Sequence, residues 1–202
     1  MKNFPLAHTL PAQLVSTLRG MILSGDLAPG ERLREVDLAR RFQISRGPIR
    51  DTFLQLTGEG LLEARPNAGV RVARAPSDFK RASLVRLRRS LEADCLTLWF
   101  ENPLPQLLEL LSQNLELYRL ACEQERFEEV VEVDMAFHHA IVSAAEEGAL
   151  LSVWRPIISQ MFLRYSRHHS LLESYAEHRE ILDHMRAFRR EEAVQSLTRH
   201  IQ

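Results

Sequence analysis

The apolar positions of this chain follow two successive regimes. Up to about residue 75 they come in short bursts separated by turn residues; beyond it they recur at helical spacing almost without interruption. In the first part, Leu14, Leu18, Met21 and Ile22 mark one face of a helix expected to begin near Pro11, a residue suited to a first turn, and to stop before Gly25-Asp26. Val36, Leu38, Ala39 and Phe42 mark a short second helix. Ser45 suits the N-cap of a third, expected over 46–57 with Ile49, Phe53 and Leu56 as its core face. Pro48 falls in that helix's first turn, where no intrahelical N–H is required. Segments 61–64 and 70–72 have strand length, with a turn over 66–69 between them. The pattern predicts a winged helix-turn-helix over residues 8–75, with a small two-stranded wing.

Residues 73–78 have the composition of a linker, in which Ser77 or Asp78 can cap the next helix. Six helices are then expected, over 84–99, 104–123, 127–145, 150–168, 171–188 and 191–201, punctuated at Asn102-Pro103 and Glu147-Gly148. Pro156 should kink the fourth or delay its start. The fold class is therefore mainly α: a winged domain, then an all-helical antiparallel bundle of about six helices over 79–202. Facing helices in such a bundle readily build an internal metal or ligand site.

Composition adds bounds. With 202 residues, 45% of them hydrophobic, the chain is long enough for real cores. No apolar run approaches the roughly 20 residues of a membrane span, and the amino terminus lacks the apolar stretch of a signal peptide. No membrane partner and a cytoplasmic location are expected. Cys95 and Cys122 have no Cys-x-x-Cys spacing, which points to buried free thiols. The overall charge of −1 conceals an asymmetry: residues 1–77 hold 11 Lys/Arg and 7 Asp/Glu, a net of +4, and residues 78–202 hold 15 and 20, a net of −5. A basic first part joined to an acidic remainder fits a polyanion-binding module attached to something else.

The candidate chemistry lies mostly in the second part. Asp134 and His138 are four apart on one face of the 127–145 helix. Alone, such a pair is more often a surface ion pair or a satisfied core contact than half a metal site. Two later histidines, His178 and His200, each sit in an amphipathic helix of their own, and three imidazoles plus one carboxylate suit a divalent transition metal, zinc first, with nickel or manganese as alternatives. His139 lies about 100° round the helix from His138, and His184 lies on a different face from His178. Neither should join the cluster; His168 and His169 fall near an expected helix end, and His8 precedes the folded part.

Asp134-x-x-Phe137-His138, Glu177-His178-x-x-Ile181-Leu182 and Arg199-His200-Ile201 resemble the metal-ligand signatures of the ligand-binding (FCD) domain in the FadR branch of GntR-type bacterial transcription regulators. The first part is similar to the same family's winged helix-turn-helix through the runs 25–33, Leu38-Ala39, 44–51 and 59–61, which cover most of residues 11–74 in order. The resemblance implies a homodimeric, ligand-responsive regulator, expected to repress, that reads a palindromic double-stranded DNA operator and binds a small organic-acid effector. It assigns Arg88, in Arg88-x-x-Leu91-Glu92, to the effector pocket; spacing alone would equally put Arg88 on the outer face of a charged helix. Arg164 is a weaker pocket candidate.

Arg46 and Arg50 lie at the amino end of the third helix, off its core face, where a recognition helix presents side chains to base edges. Two solvated arginines would fit that helix alone; the Ser45 cap, the turn and the wing favour DNA. Arg34, Arg40 and Arg41 are weaker candidates for phosphate contacts, and Gly69 at the wing tip would let backbone approach the minor groove. The chain departs from the family pattern at Gly47, Asp51 and Ala68, and at Phe188-Arg189, where Gly-Asp is usual in the turn before His200. Two other readings stay open: a metal-dependent enzyme such as a hydrolase with an accessory winged domain, and a metal that only staples the bundle.

Overall fold

The structure, a computed structural model, describes residues 10–65, 69–145, 148–163 and 170–202. The chain divides into two compact units, Met1–Ala75 and Pro76–Gln202.

In the first unit, α1 (Leu10–Ser24), α2 (Glu35–Phe42) and α3 (Arg46–Gly58) enclose a core that includes Leu18, Ile22, Leu38, Ile49, Phe53 and Leu56. A bidentate ion pair from Arg19 on α1 to the buried Glu59 just past α3 ties these two helices together (Nη2 to Oε1, 2.8 Å). Gln43 takes a left-handed conformation (φ 56°) after α2 and turns the chain tightly toward α3. Val36 is an exception to the apolar pattern: it is 47% exposed, and α2 buries Leu38 and Ala39 instead.

The wing is larger than the sequence pattern indicated. Strands β2 (Leu62–Arg65) and β3 (Gly69–Val72) pair antiparallel, and a third strand, β1 (Arg32–Leu33), adds to the far edge of β3, giving the order β1-β3-β2. Arg32 lies opposite Arg71 and Leu33 opposite Val70. Two residues are too few to show strand alternation in a sequence. The turn residues 66–68, Ala68 among them, lie outside the described residues.

The second unit is a bundle of α4 (Asp78–Glu101), α5 (Pro105–Glu123), α6 (Phe127–Ser143), α7 (Gly148–Phe162), α8 (Leu171–Arg186) and α9 (Arg190–His200). α5 packs on α6 and α8; α4 packs on α6, α7 and α9; and α8 pairs with α9. α4 begins six residues before the apolar pattern does, because Ser77 takes the N-cap position and the first turns are exposed. α7 starts at Gly148 and runs through Pro156. The core holds Leu96, Trp99, Leu111, Phe137, Trp154 and Ile158, with Cys95 and Cys122 as buried free thiols whose pKa burial pushes up to about 11. Among the described residues, no helix is long and apolar enough to cross a membrane.

The turn between α8 and α9 carries Phe188 in the left-handed region (φ 56°), a conformation that glycine adopts more cheaply. Its ring packs edge-on against Phe100 (centroids 5.3 Å apart) and near Trp99 (6.4 Å), both on α4. An aromatic contact thus holds the turn that sends α9 back along α8.

Candidate functional site

Asp134 and His138 on α6, His178 on α8 and His200 at the end of α9 come together inside the second unit. One ligand atom from each lies within 4.8 Å of all the others. Asp134, His138 and His178 are buried and His200 half-buried. The imidazole centroids are 4.2 Å apart for His178 and His200, 5.2 Å for His138 and His178, and 5.3 Å for His138 and His200.

Each imidazole is oriented from its far side. His138 Nδ1 lies 2.6 Å from Glu92 Oε2, His178 Nδ1 lies 2.7 Å from the Ser174 carbonyl, and His200 Nδ1 lies 2.7 Å from Glu177 Oε2. All three partners are acceptors, so each Nδ1 carries the proton and donates it, leaving the Nε2 lone pairs to face inward. His138 Nε2, His178 Nε2 and Asp134 Oδ1 are buried without a hydrogen-bond partner. Buried polar atoms are rarely left unpaired, and these two nitrogens and one oxygen, with the half-buried His200 beside them, fit a cation with an N₃O donor set. Burial lowers the pKa of both His138 and His178, and the neighbouring histidines lower that of His178 further. Neutral imidazoles are the metal-binding form.

Glu92, one helical turn beyond Arg88 on α4, is the residue whose role the sequence pattern did not reveal. It is fully buried and accepts from Arg88 Nε at 2.7 Å, Trp154 Nε1 at 2.6 Å and His138 Nδ1. Burial alone would raise its pKa, but Arg88, His138 and Trp154 outweigh burial and hold the carboxyl well below the usual range. The available signal was the Arg88-x-x-x-Glu92 spacing. Arg88 itself is buried, which excludes the outer-face placement, and its Nη2 has no partner. Arg164, His168 and His169 lie outside the described residues, as does His8. His139 faces away from the cluster toward Ser143 and Arg155, and His184 toward Glu180 and Arg189. A groove of about 630 Å³ between α5 and α6, walled by Leu107, Leu110 and Ala140, includes none of the four candidate ligands.

In the first unit, Arg46 and Arg50 are exposed at the amino end of α3. Arg50 donates to Glu35 on α2 through Nε (3.1 Å) and Nη2 (3.0 Å), and this lowers the Glu35 pKa. Ser45 occupies the N-cap with extended backbone, but its hydroxyl makes no capping bond. Arg34 is exposed at the start of α2, and Arg40 and Arg41 are exposed in its last turn. Gly69 has φ 77°, and a side chain there would meet Arg32 at 3.6 Å.

A winged helix-turn-helix followed by a helical bundle with an internal donor cluster defines a two-domain transcription regulator. Residues 10–72 match the gntR family of bacterial regulatory proteins, and residues 83–202 match the FCD domain. The chain belongs to the GntR family, in the form that carries an FCD domain. It is similar to YdhC, a helix-turn-helix-type transcriptional regulator of Bacillus subtilis (26% identical over 99% of this chain and 92% of that protein), and to the gluconate operon transcriptional repressor of the same organism (26%, over 82% and 68%). Among solved structures, McbR/YncC of E. coli shares the fold with a TM-score of 0.80 at 24% identity, covering 96% of this chain and 94% of that one. The family consists of transcription regulators, so the hydrolase alternative falls.

Proposed function

We propose that this regulator binds one divalent transition metal through Asp134, His138, His178 and His200, and that it senses a small carboxylate held between that metal and Arg88. The observation that carries the reading is the set of unpartnered buried atoms: Asp134 Oδ1, His138 Nε2 and His178 Nε2 at the cluster, and Arg88 Nη2 on α4. Three imidazoles and a carboxylate suit zinc first, then nickel or manganese. A bound cation would supply a fixed positive charge for an anionic effector. Arg88 would supply directional N–H donors, with Glu92 holding its Nε and leaving Nη2 without a partner. Burial strengthens both interactions.

The same reading places the protein in the FadR branch and in the cytoplasm, as a homodimeric repressor whose paired α3 helices read a palindromic operator through Arg46 and Arg50, with Ser45, Arg34 and Gly69 against the backbone. An effector can alter operator affinity only if it prefers one conformation of the bundle. Repressor names among the relatives support the sign of regulation.

A thermal-shift screen of organic acids, with and without zinc, tests the proposal. A cognate acid should raise Tm in metal-loaded protein by mass action and shift binding to DNA from upstream of the protein's own gene. The shift should vanish after metal removal and in Arg88→Ala. An acid that binds equally well without metal would contradict the shared site. Loss of folding on chelation would instead favour a metal that only staples the bundle.

A further inference from the structure

We infer that Tyr118 is a positioning residue that fixes which oxygen of Asp134 faces the metal, and thereby sets the site's preference among metals; this rests on the proposed metal site. Both Asp134 oxygens lie beside the cluster: Oδ1 is 3.8 Å from His138 Nε2, and Oδ2 is 3.7 Å from His178 Nε2. Proximity alone would let the carboxylate ligate through either oxygen or through both. Tyr118 biases that choice. Its fully buried hydroxyl donates to Oδ2 at 3.2 Å, while Oδ1 has no partner. One lone pair of Oδ2 is thus occupied while Oδ1 is without a partner, so Oδ1 is the oxygen better placed to bind.

Tyr118 is on α5, a helix that supplies none of the four ligands, yet it bears on two of them. Its ring packs on His178, with centroids 4.7 Å apart. With its own proton given to Asp134, its oxygen accepts from the Ser174 hydroxyl at 2.8 Å, and the Ser174 carbonyl accepts from His178 Nδ1 at 2.7 Å. A single chain of hydrogen bonds therefore orients both a carboxylate and an imidazole. A carboxylate limited to one oxygen keeps the site rich in nitrogen, which suits zinc; a carboxylate free to use both adds the oxygen coordination that manganese favours.

The test is a chelator-competition titration of full-length protein with zinc and with manganese, for wild type, Tyr118→Phe and Ser174→Ala. Tyr118→Phe should weaken zinc about tenfold, the low end for loss of an outer partner of a ligand. Manganese should weaken less or tighten, so that the zinc-to-manganese affinity ratio shrinks. Ser174→Ala should move the ratio the same way by a smaller factor. A purely structural role would weaken both metals equally. An unchanged ratio in Tyr118→Phe overturns the inference and leaves the metal site standing; if circular dichroism shows that this variant does not fold, an unchanged ratio in Ser174→Ala overturns it. A wild type that binds neither metal overturns the metal site and this inference together.

Discussion

His138 Nδ1 and Glu92 Oε2 lie 2.6 Å apart, with both side chains wholly buried. The same carboxylate holds Arg88 and Trp154, so one residue of α4 joins the candidate metal cluster to the candidate effector arginine. Glu92→Gln would keep the shape but leave the Arg88 guanidinium without its buried counter-charge. Breaking a buried pair in this way costs about 3 kcal/mol or more, and loss of a ligand's outer partner weakens metal binding about 10- to 100-fold. Urea denaturation and zinc titration of the variant measure the two effects. Wild-type values in both would mean that Glu92 joins neither the fold nor the metal to Arg88.

Acid should weaken the metal-free fold before it reaches the ordinary carboxylate range. Burial holds the folded-state pKa of His138 and His178 below that of an exposed histidine, so the unfolded chain takes up these protons first. Their stabilisation is complete above the unfolded value of about 6.5 and is lost as pH falls through the lowered folded values. Glu92, also depressed, adds a loss of the same sign only at much lower pH. The urea midpoint of chelator-treated protein should be level above about pH 7 and decline from about pH 6.5 downward. A midpoint that rises as pH falls from about 7 to 5 would contradict the buried neutral histidines.

Arg46→Ala and Arg50→Ala should each weaken binding to upstream DNA about tenfold or more, the cost of a lost bidentate base contact; the melting temperature should stay unchanged in Arg46→Ala and fall only slightly in Arg50→Ala, which also loses an exposed ion pair to Glu35. Glu35, which grips Arg50 through two bonds, orients that guanidinium in the free protein. Fluorescence anisotropy measures the affinities. Undiminished binding in both variants would rule these arginines out of operator recognition.

Phe188 combines an unfavourable left-handed backbone with aromatic contacts to Phe100 and Trp99. Phe188→Ala should lose the contacts and keep the strain, whereas Phe188→Gly should lose the contacts and relieve the strain. Alanine should therefore be the more destabilised by about 1 kcal/mol in urea unfolding. The reverse order would mean that the turn stores no strain.

The helices were legible from local periodicity, and the four candidate ligands from one helical spacing together with the resemblance of the runs around His178 and His200 to the family's signatures. Asp134 and His138 share a face by spacing alone, and His178 and His200 lie on the two helices joined by the short turn at Phe188. What escaped was set by tertiary placement. Glu92 sits in a charged run, where its four-residue spacing from Arg88 marks an ion pair but does not show that the pair turns inward. Tyr118 and Trp154 read as ordinary core aromatics until their polar ends are seen on Asp134 and Glu92. Strand β1 is too short for a period, and Val36 fits the apolar pattern of α2 yet faces solvent.

The central claim is that the Asp134–His138–His178–His200 cluster is a metal site, and metal analysis of the purified protein tests it most directly. After dialysis against zinc, wild type should retain one equivalent per chain, and His138→Ala and His178→Ala should each retain far less while remaining helical. Equal zinc content in wild type and both folded variants would contradict the claim.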